Sequence, residues 1–171
     1  MNSYKIQATL TSPEETSRLA SWFADFACPG DTFLLAGPVG AGKSHFARAF
    51  IQARHGAETE VPSPSFTLVQ TYEKDTDTIW HADLYRLGSP DEIAETGLFD
   101  MFDHAICLVE WPDRLGVEKP DRYLEITLHP DPASDTNRLL EIELAGSWDW
   151  PENLLNQLTN NNGNQACSAK S

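Results

Sequence analysis

Long apolar runs are missing from the 171-residue sequence. No stretch approaches the roughly 20 consecutive apolar residues that a membrane-spanning helix needs. Residues 1–6 also lack the basic head and the apolar run of a secretory signal. We therefore expect a cytoplasmic protein without a membrane partner.

Basic side chains are scarce. The chain has 12 Lys and Arg residues against 26 Asp and Glu residues, so its formal net charge is −14. Strong binding to nucleic acid needs clustered basic side chains that neutralise phosphates, and no such cluster occurs here. Direct, strong contact with nucleic acid is therefore disfavoured. The acidic surface suits a basic protein partner, or it serves solubility alone.

Cysteine is also infrequent, and its three positions are scattered: Cys28, Cys107 and Cys167. An odd number of cysteines without CxxC spacing is typical of free thiols in a reducing compartment. The same spacing gives no reason to expect zinc.

Apolar side chains make up 40% of the chain, enough for one domain with a core. We predict one domain over residues 1–145, a C-terminal extension over 146–158 and a disordered polar tail over 159–171. Periodicity predicts helices over residues 12–26 and 89–97, and strands over 32–36, 66–72, 78–82 and 105–109. Residues 123–129 and 138–144 are predicted to form a hairpin around a polar loop at 131–137.

Residues 37–44 read Gly-Pro-Val-Gly-Ala-Gly-Lys-Ser, which matches the phosphate-binding pattern Gly-x4-Gly-Lys-Ser. Glycines let several backbone N–H groups point at one anion, and the N-terminus of the following helix adds partial positive charge. Lys43 is predicted to reach the β- and γ-phosphates of ATP, and the Ser44 hydroxyl is predicted to bind Mg²⁺. Chance would produce this pattern in a chain of this length with a probability of about 1%. The predicted strand before it and helix after it supply the expected context.

Two acidic residues end predicted buried strands. Glu110 follows the apolar run 105–109, and Asp83 follows the run 79–82. A P-loop protein needs such a carboxylate for its metal ion, and a second one can orient the attacking water. The sequence pattern alone does not divide these two roles between Asp83 and Glu110.

A hydroxyl-rich loop, Ser-Pro-Ser-Phe-Thr at residues 63–67, lies between the P-loop helix and the next predicted strand. In nucleotide switches, this position supplies a Ser or Thr that senses the metal and the γ-phosphate. An ordinary Pro-Ser connection is the other interpretation.

Several classes of P-loop protein remain possible. A switch GTPase should carry an Asn-Lys-x-Asp motif that binds the base, and this chain has none. A small-molecule kinase clamps its second substrate with several arginines, and only Arg86 and Arg114 lie near the strand-end acids. A third possibility is a nucleotide-gated binding module in which hydrolysis is incidental. A small ATPase that drives or resets a partner fits the minimal domain best.

Four segments together resemble the TsaE family, the ATPases of bacterial tRNA threonylcarbamoyladenosine synthesis. They are the P-loop at 37–44, Ser-Pro-Ser-Phe-Thr-Leu at 63–68, His-Ala-Asp-Leu-Tyr-Arg-Leu at 81–87 and Leu-Val-Glu-Trp-Pro at 108–112. They occur in the family's order and spacing, and the resemblance extends over about residues 10–145. Together they are far more specific than the P-loop alone.

The resemblance implies an α/β P-loop NTPase fold, with a mixed, largely parallel sheet flanked by helices. It also implies an Mg²⁺-dependent ATPase that supports the TsaB–TsaD complex in threonylcarbamoylation of the adenosine beside the tRNA anticodon. The tRNA would then be contacted only indirectly, through partners, which agrees with the acidic charge. No arginine finger can be identified in the sequence, so we expect weak activity alone and stimulation by the partner.

The resemblance also carries roles to individual positions. Ser44 and Glu110 match the magnesium-binding residues. Lys43, Asp83 and Thr67 match residues that support hydrolysis, with Asp83 placing the water and Thr67 acting in the switch loop. The remaining matches are to nucleotide-binding positions: Gly37, Val39, Gly40, Ala41, Gly42, Lys43, Ser44, Trp111, Arg138 and Thr16.

The P-loop departs from the usual family sequence, which reads Gly-Asp-Leu-Gly and ends in Thr. Here Pro38 and Val39 occupy the middle, and Ser44 ends the loop. Serine keeps the metal-binding hydroxyl, whereas Pro38 removes one backbone N–H. Ser65 likewise replaces a more common Thr and keeps its hydroxyl. ATP binding is still expected.

Overall fold

The computed structural model describes residues 4–75 and 77–148, and in these ranges seven strands form one sheet. The strands are β1 (Tyr4–Leu10), β2 (Thr32–Ala36), β3 (Val69–Lys74), β4 (Asp77–Asp83), β5 (Ile106–Glu110), β6 (Tyr123–Asp131) and β7 (Ser134–Ala145). The helices are α1 (Pro13–Phe26), α2 (Lys43–His55), α3 (Pro90–Glu95) and α4 (Leu98–Met101), with a 3₁₀ helix over Pro112–Leu115.

The sheet order is β1-β7-β6-β2-β5-β4-β3. Strands β6, β2, β5 and β4 are parallel neighbours at its centre, whereas β1–β7, β7–β6 and β4–β3 pair antiparallel. This arrangement confirms the α/β fold with a mixed sheet that is parallel in the middle. Since parallel strands end at the same edge of a sheet, the residues after β2, β4 and β5 come together.

The central strands are apolar throughout because both faces of the sheet are covered. Successive side chains of a strand point to opposite faces. In β2, Phe33 and Leu35 belong to the core shared with α1 and α2, whereas Leu34 belongs to the core shared with α3 and α4. The side chains of β5 likewise alternate between the two cores. This explains why the sequences of both strands are continuous apolar runs.

Helix α1 starts where its sequence indicates. The Ser12 hydroxyl accepts a hydrogen bond from the N–H of Glu15, and Pro13 occupies the first helical position. Its buried face, which includes Leu19 and Phe23, packs against α2. Helix α3 begins with a complete capping box between Ser89 and Glu92.

Helix α4 and the 3₁₀ helix were not predicted, and three features of the strands also differ from the sequence-based expectations. Strand β1 was not predicted at all. The strand expected from residue 66 begins only at Val69, because Leu68 has a φ of 66° and its N–H donates to the carbonyl of Pro64 at 2.7 Å. The hairpin loop is shorter than residues 131–137, since β6 and β7 extend to Asp131 and from Ser134.

The predicted domain boundaries stay a prediction, because the polar tail at 159–171 and most of the 146–158 extension lie outside the described residues. Among the residues that are described, no helix is both long and apolar enough to cross a membrane.

Candidate nucleotide and metal site

The P-loop connects the end of β2 to the start of α2, as its sequence context requires. Gly37, Gly40 and Gly42 all adopt positive φ, at 134°, 77° and 109°. A Cβ atom at Gly37 would also clash with the carbonyl oxygen of Leu128 in β6. Glycine is therefore needed at Gly37 both for its backbone conformation and for the close approach of β6.

The N-terminus of α2 faces this loop. Gly42 caps the helix in the left-handed conformation, and no side chain caps its first turn. The first N–H groups of a helix have no partner within the helix, and the helix dipole favours negative charge there. Together with the curled loop, this helix start forms a site suited to phosphate.

Lys43 is buried beside the loop. Its ammonium donates to the carbonyls of Gly37 at 2.7 Å and Pro38 at 2.9 Å, and lies 4.0 Å from the centroid of the Trp111 ring. Burial lowers the pKa of Lys43, while the negative charges of Glu110 and other nearby acids oppose that shift. The amine is thus held by neutral acceptors and an aromatic face at the point where a phosphate would offer stronger partners.

Glu110 connects the P-loop helix with β4. The Ser44 hydroxyl donates to its Oε2 at 2.9 Å, and its Oε1 lies 2.8 Å from Nε2 of His81. Glu110 and His81 are 2% and 1% exposed. The predicted metal pair, Ser44 and Glu110, therefore meets directly, although the two residues are 66 positions apart in sequence.

Asp83 lies on β4 directly opposite Glu110 on β5. Its Oδ2 accepts a hydrogen bond from the Ser65 hydroxyl at 2.8 Å, and its Oδ1 accepts one from the N–H of Tyr85 at 3.0 Å. The strand-end carboxylates thus differ in their partners: Glu110 contacts the P-loop serine, and Asp83 contacts the hydroxyl-rich loop.

The hydroxyl-rich loop presents Ser65, not Thr67, to the carboxylates. Thr67 is exposed, and its hydroxyl accepts a hydrogen bond from the Gln70 side chain at 2.9 Å. Ser65 also contacts the Ser63 hydroxyl at 2.8 Å. The role assigned to Thr67 stays a prediction, and in this structure its side chain is turned towards β3.

One open pocket collects most of the predicted residues. Of these, its lining contains Val39, Gly40, Gly42, Lys43, Ser44, Asp83, Glu110 and Trp111. It also contains Ser65 of the hydroxyl-rich loop, together with Tyr85 and His45, for which the sequence predicts no role at the nucleotide. The ring of Tyr85 packs against that of Trp111 in a tilted arrangement, with ring centroids 4.8 Å apart. Tyr85 could have been identified from the sequence, because it lies in the same motif as Asp83, at residues 81–87.

The other predicted residues surround the pocket. Gly37 and Ala41 belong to the backbone of the P-loop, and Arg138 supports that loop by donating from Nε to the Ala41 carbonyl at 3.1 Å. Thr16 is buried in the first turn of α1. That turn touches α2 through His45, whose Nε2 lies 3.1 Å from the carbonyl of Pro13.

Arginine is absent from the pocket lining. Arg86 lies 4.4 Å from the ring of Phe66, and Arg114 pairs with its neighbour Asp113 at 3.7 Å. The two arginines that would have indicated a kinase therefore contact other side chains. This placement gives no support to a clamp for a second phosphorylated substrate.

The donor atoms near the P-loop suit magnesium better than a transition metal. Across residues 4–75 and 77–148, no group of three or more His, Cys, Asp and Glu side chains could hold a metal ion. Mg²⁺ prefers oxygen ligands and is usually bound by one or two protein groups together with substrate phosphates and waters. The contacting oxygens of Ser44 and Glu110 fit that mode.

Comparison with known proteins gives a consistent family. The model of the family "Threonylcarbamoyl adenosine biosynthesis protein TsaE" matches residues 10–139. The chain is 40% identical to the Rickettsia conorii tRNA threonylcarbamoyladenosine biosynthesis protein TsaE over 77% of this chain and 74% of that protein. It is 34% identical to the Bacillus subtilis TsaE over 80% and 84%. The crystal structure of Bacillus subtilis YdiB superposes with a TM-score of 0.68 at 27% identity, covering 85% of this chain and 89% of that one.

Proposed function

Since the chain belongs to the TsaE family of threonylcarbamoyladenosine biosynthesis proteins, we propose that it is a Mg²⁺-dependent ATPase. In this proposal it supports the TsaB–TsaD complex during threonylcarbamoylation of tRNA. The observation that carries the proposal is the contact between Ser44 and Glu110 beside the P-loop, with Asp83 on the adjacent strand. Because its substrate pathway concerns tRNA, we also propose that the protein works in the cytoplasm.

In this proposal each residue has a defined task. The N–H groups of the P-loop and of the first turn of α2 bind the phosphates, and Lys43 exchanges its carbonyl partners for phosphate oxygens. Ser44 and Glu110 would hold Mg²⁺, which would offset charge on the phosphates. Asp83 orients the attacking water, and Ser65 keeps the carboxylate in place.

Three further predicted residues support the site in this proposal. Arg138 fixes the carbonyl of Ala41 and so holds the P-loop against β7. Trp111 forms the wall over the Lys43 ammonium, and it has a positive φ of 62°, an uncommon conformation for a bulky residue. Thr16 is proposed to contribute on the nucleotide side through the start of α1.

Partner stimulation follows from the charge available in the pocket. Among the described residues that line the pocket, Lys43 is the only Lys or Arg. In related phosphoryl-transfer enzymes, an arginine supplied by a partner raises turnover by about 10³–10⁵-fold. We therefore propose that the isolated protein hydrolyses ATP slowly and that the TsaB–TsaD complex completes the site.

The experiment is ATP hydrolysis by the purified protein, with and without the TsaB–TsaD complex, beside the Lys43→Ala variant. We expect slow release of phosphate by the protein alone and faster release in the presence of the complex. Lys43→Ala should lose both the basal and the stimulated activity. Full turnover in the isolated protein, unchanged by the complex, would refute the partner dependence. Transfer of phosphate to a small molecule instead of water would favour a kinase.

A further inference from the structure

His81 is a buried residue of β4 that lies outside the pocket lining but touches Glu110, which lines it. Nε2 of His81 lies 2.8 Å from Oε1 of Glu110, and the two side chains are 1% and 2% exposed. A buried polar contact of this kind cannot exchange with water, so it holds both groups in one geometry.

The partners of the imidazole determine its tautomer. The Ser44 hydroxyl donates to the other oxygen of Glu110, as expected of a carboxylate that only accepts hydrogen bonds. Nε2 must therefore carry the proton shared with Oε1. Nδ1 is buried and has no hydrogen-bond partner among the described residues, so it carries the lone pair. A second N–H at that position would be an unpaired buried donor.

We infer that His81 is a positioning residue for magnesium, an inference that rests on the proposed ATPase function. Its Nε2–H holds Oε1 of Glu110 and leaves Oε2 as the oxygen that faces Ser44 and would be available to the metal. Mg²⁺ demands near-ideal octahedral geometry. A carboxylate held in one rotamer, with Oε2 already beside the Ser44 hydroxyl, would meet that demand with little reordering at binding.

Simple core packing is the competing interpretation of His81. In that case a buried apolar side chain of similar size would serve equally well, and metal binding would not change. The two interpretations differ in whether a hydrogen-bond donor is needed at the position of Nε2.

Three variants separate these interpretations. The amide nitrogen of Gln extends along the side chain about as far as Nε2, so His81→Gln can still donate to Glu110. The amide of Asn reaches only the position of Nδ1, so His81→Asn is polar but too short. His81→Leu fills space without any donor. Gln and Asn differ by one methylene and form the matched pair.

The measurement is the affinity of each variant for a fluorescent ATP analogue, first in EDTA and then across a Mg²⁺ titration. We expect EDTA affinities within about twofold of the natural protein, because the P-loop is intact. The Mg²⁺ concentration at which half of the change in affinity occurs should rise about 10-fold in His81→Asn and His81→Leu. This is the lower end of the losses in metal affinity seen when the hydrogen-bond partners of metal ligands are mutated. His81→Gln should restore it.

Two outcomes would overturn the inference. One is an unchanged Mg²⁺ midpoint in folded His81→Asn, and the other is an equal loss of affinity in EDTA and in Mg²⁺, which indicates a packing role. Failure of the natural protein to bind the analogue, or binding without any response to Mg²⁺, would instead refute the proposed function. The two failures are therefore distinguishable.

A measurement on the natural protein covers the case in which variants do not fold. ¹⁵N NMR of the histidine ring should show the Nε2–H tautomer for His81, with a resonance that shifts when Mg²⁺ and ATP are added. The Nδ1–H tautomer would contradict the hydrogen bond to Glu110 and overturn the inference.

Discussion

At the scale of single residues, the site depends on side chains that are buried yet polar. Lys43, Asp83, Glu110 and His81 are all at most 5% exposed. Burial of charged groups is costly unless they are paired and hydrogen-bonded. Their contacts with the P-loop carbonyls, Ser65, Ser44 and each other provide that pairing. The four side chains are thus held in place by contacts within the protein itself.

Gly37 offers a test of how tightly the P-loop is built. Gly37→Ala should lower the free energy of unfolding by about 2 kcal/mol or more, because it adds both positive-φ strain and a clash with the Leu128 carbonyl. Denaturant unfolding measures this value. Gly97→Ala is the matched control, since Gly97 also has positive φ, at 80°, but the nearest atom to its Cβ would be on the Trp80 ring at an ordinary contact distance of 3.8 Å.

That control should lower the free energy of unfolding by about 1 kcal/mol, which corresponds to the strain of a left-handed residue alone. Equal losses in Gly37→Ala and Gly97→Ala would contradict the importance of the contact with β6.

At the scale of elements, Arg54 connects α2 to β4 and α1 through hydrogen bonds. Its guanidinium donates to both carboxylate oxygens of Asp77, at 2.7 and 3.0 Å, and to the carbonyl of Ala24 at 2.6 Å. The end of α2 is thereby joined to β4 and to α1. The hydrogen bond from Arg54 holds the pKa of Asp77 below its usual value of 3.8.

This bidentate pair predicts a pH dependence of stability. Asp77→Asn should lower the free energy of unfolding by about 1–3 kcal/mol at pH 7, the range for hydrogen bonds to charged groups. A carboxyl with a lowered folded pKa contributes fully above its unfolded pKa, and this contribution is lost as the pH falls through the folded value. The difference between the variant and the natural protein should therefore shrink below about pH 4.

Urea unfolding from pH 7 to pH 3 measures this difference. Glu141→Gln is the control, because Glu141 pairs with Lys5 on the exposed edge of the sheet, where solvent screens the interaction. We expect little change in that variant. A difference for Asp77→Asn that grows with acidity would show that the assigned linkage is wrong.

Elements with a strong local signal were predictable from the sequence. Strands β2 and β5 are continuous apolar runs, and α1 has its cap and proline in sequence. Strand β1 was missed because its stability comes from pairing with β7, where Ile6 lies opposite Ile142. A contact between residues so far apart leaves no local signature.

The candidate site shows the same division. Lys43, Ser44 and Glu110 could be identified from spacing and strand ends, and the resemblance to TsaE is confirmed by the family match. The choice between Ser65 and Thr67 depends on the left-handed turn at Leu68, which the sequence does not reveal. The contact of His81 with Glu110 depends on the register of β4 with β5.

At the scale of the whole molecule, the proposed function contains two activities that experiment can separate: turnover of ATP and binding of the TsaB–TsaD complex. Asp83→Ala should reduce partner-stimulated turnover by about 10²-fold or more, because the proposed water-orienting carboxylate is lost. Binding of the complex, measured by interferometry in the presence of ATP, should persist. Asp83→Asn is the control for shape, since it keeps the oxygen that faces the N–H of Tyr85.

Turnover in Asp83→Ala equal to that of the natural protein would remove Asp83 from the hydrolytic mechanism. Loss of partner binding together with turnover would mean that hydrolysis and assembly are one event, against the proposal of a separable ATPase step.

The position of β1 has a practical consequence for tethering the protein. Tyr4 of β1 pairs with Leu144 of β7, and these two strands form the outer strand pair at one side of the sheet. Three strand spacings of about 4.8 Å separate β1 from β2, which leads into the P-loop. Strand β1 runs in the same direction as β2, so a dye or surface linker attached near Tyr4 lies at the edge of the sheet opposite the P-loop, which follows the end of β2.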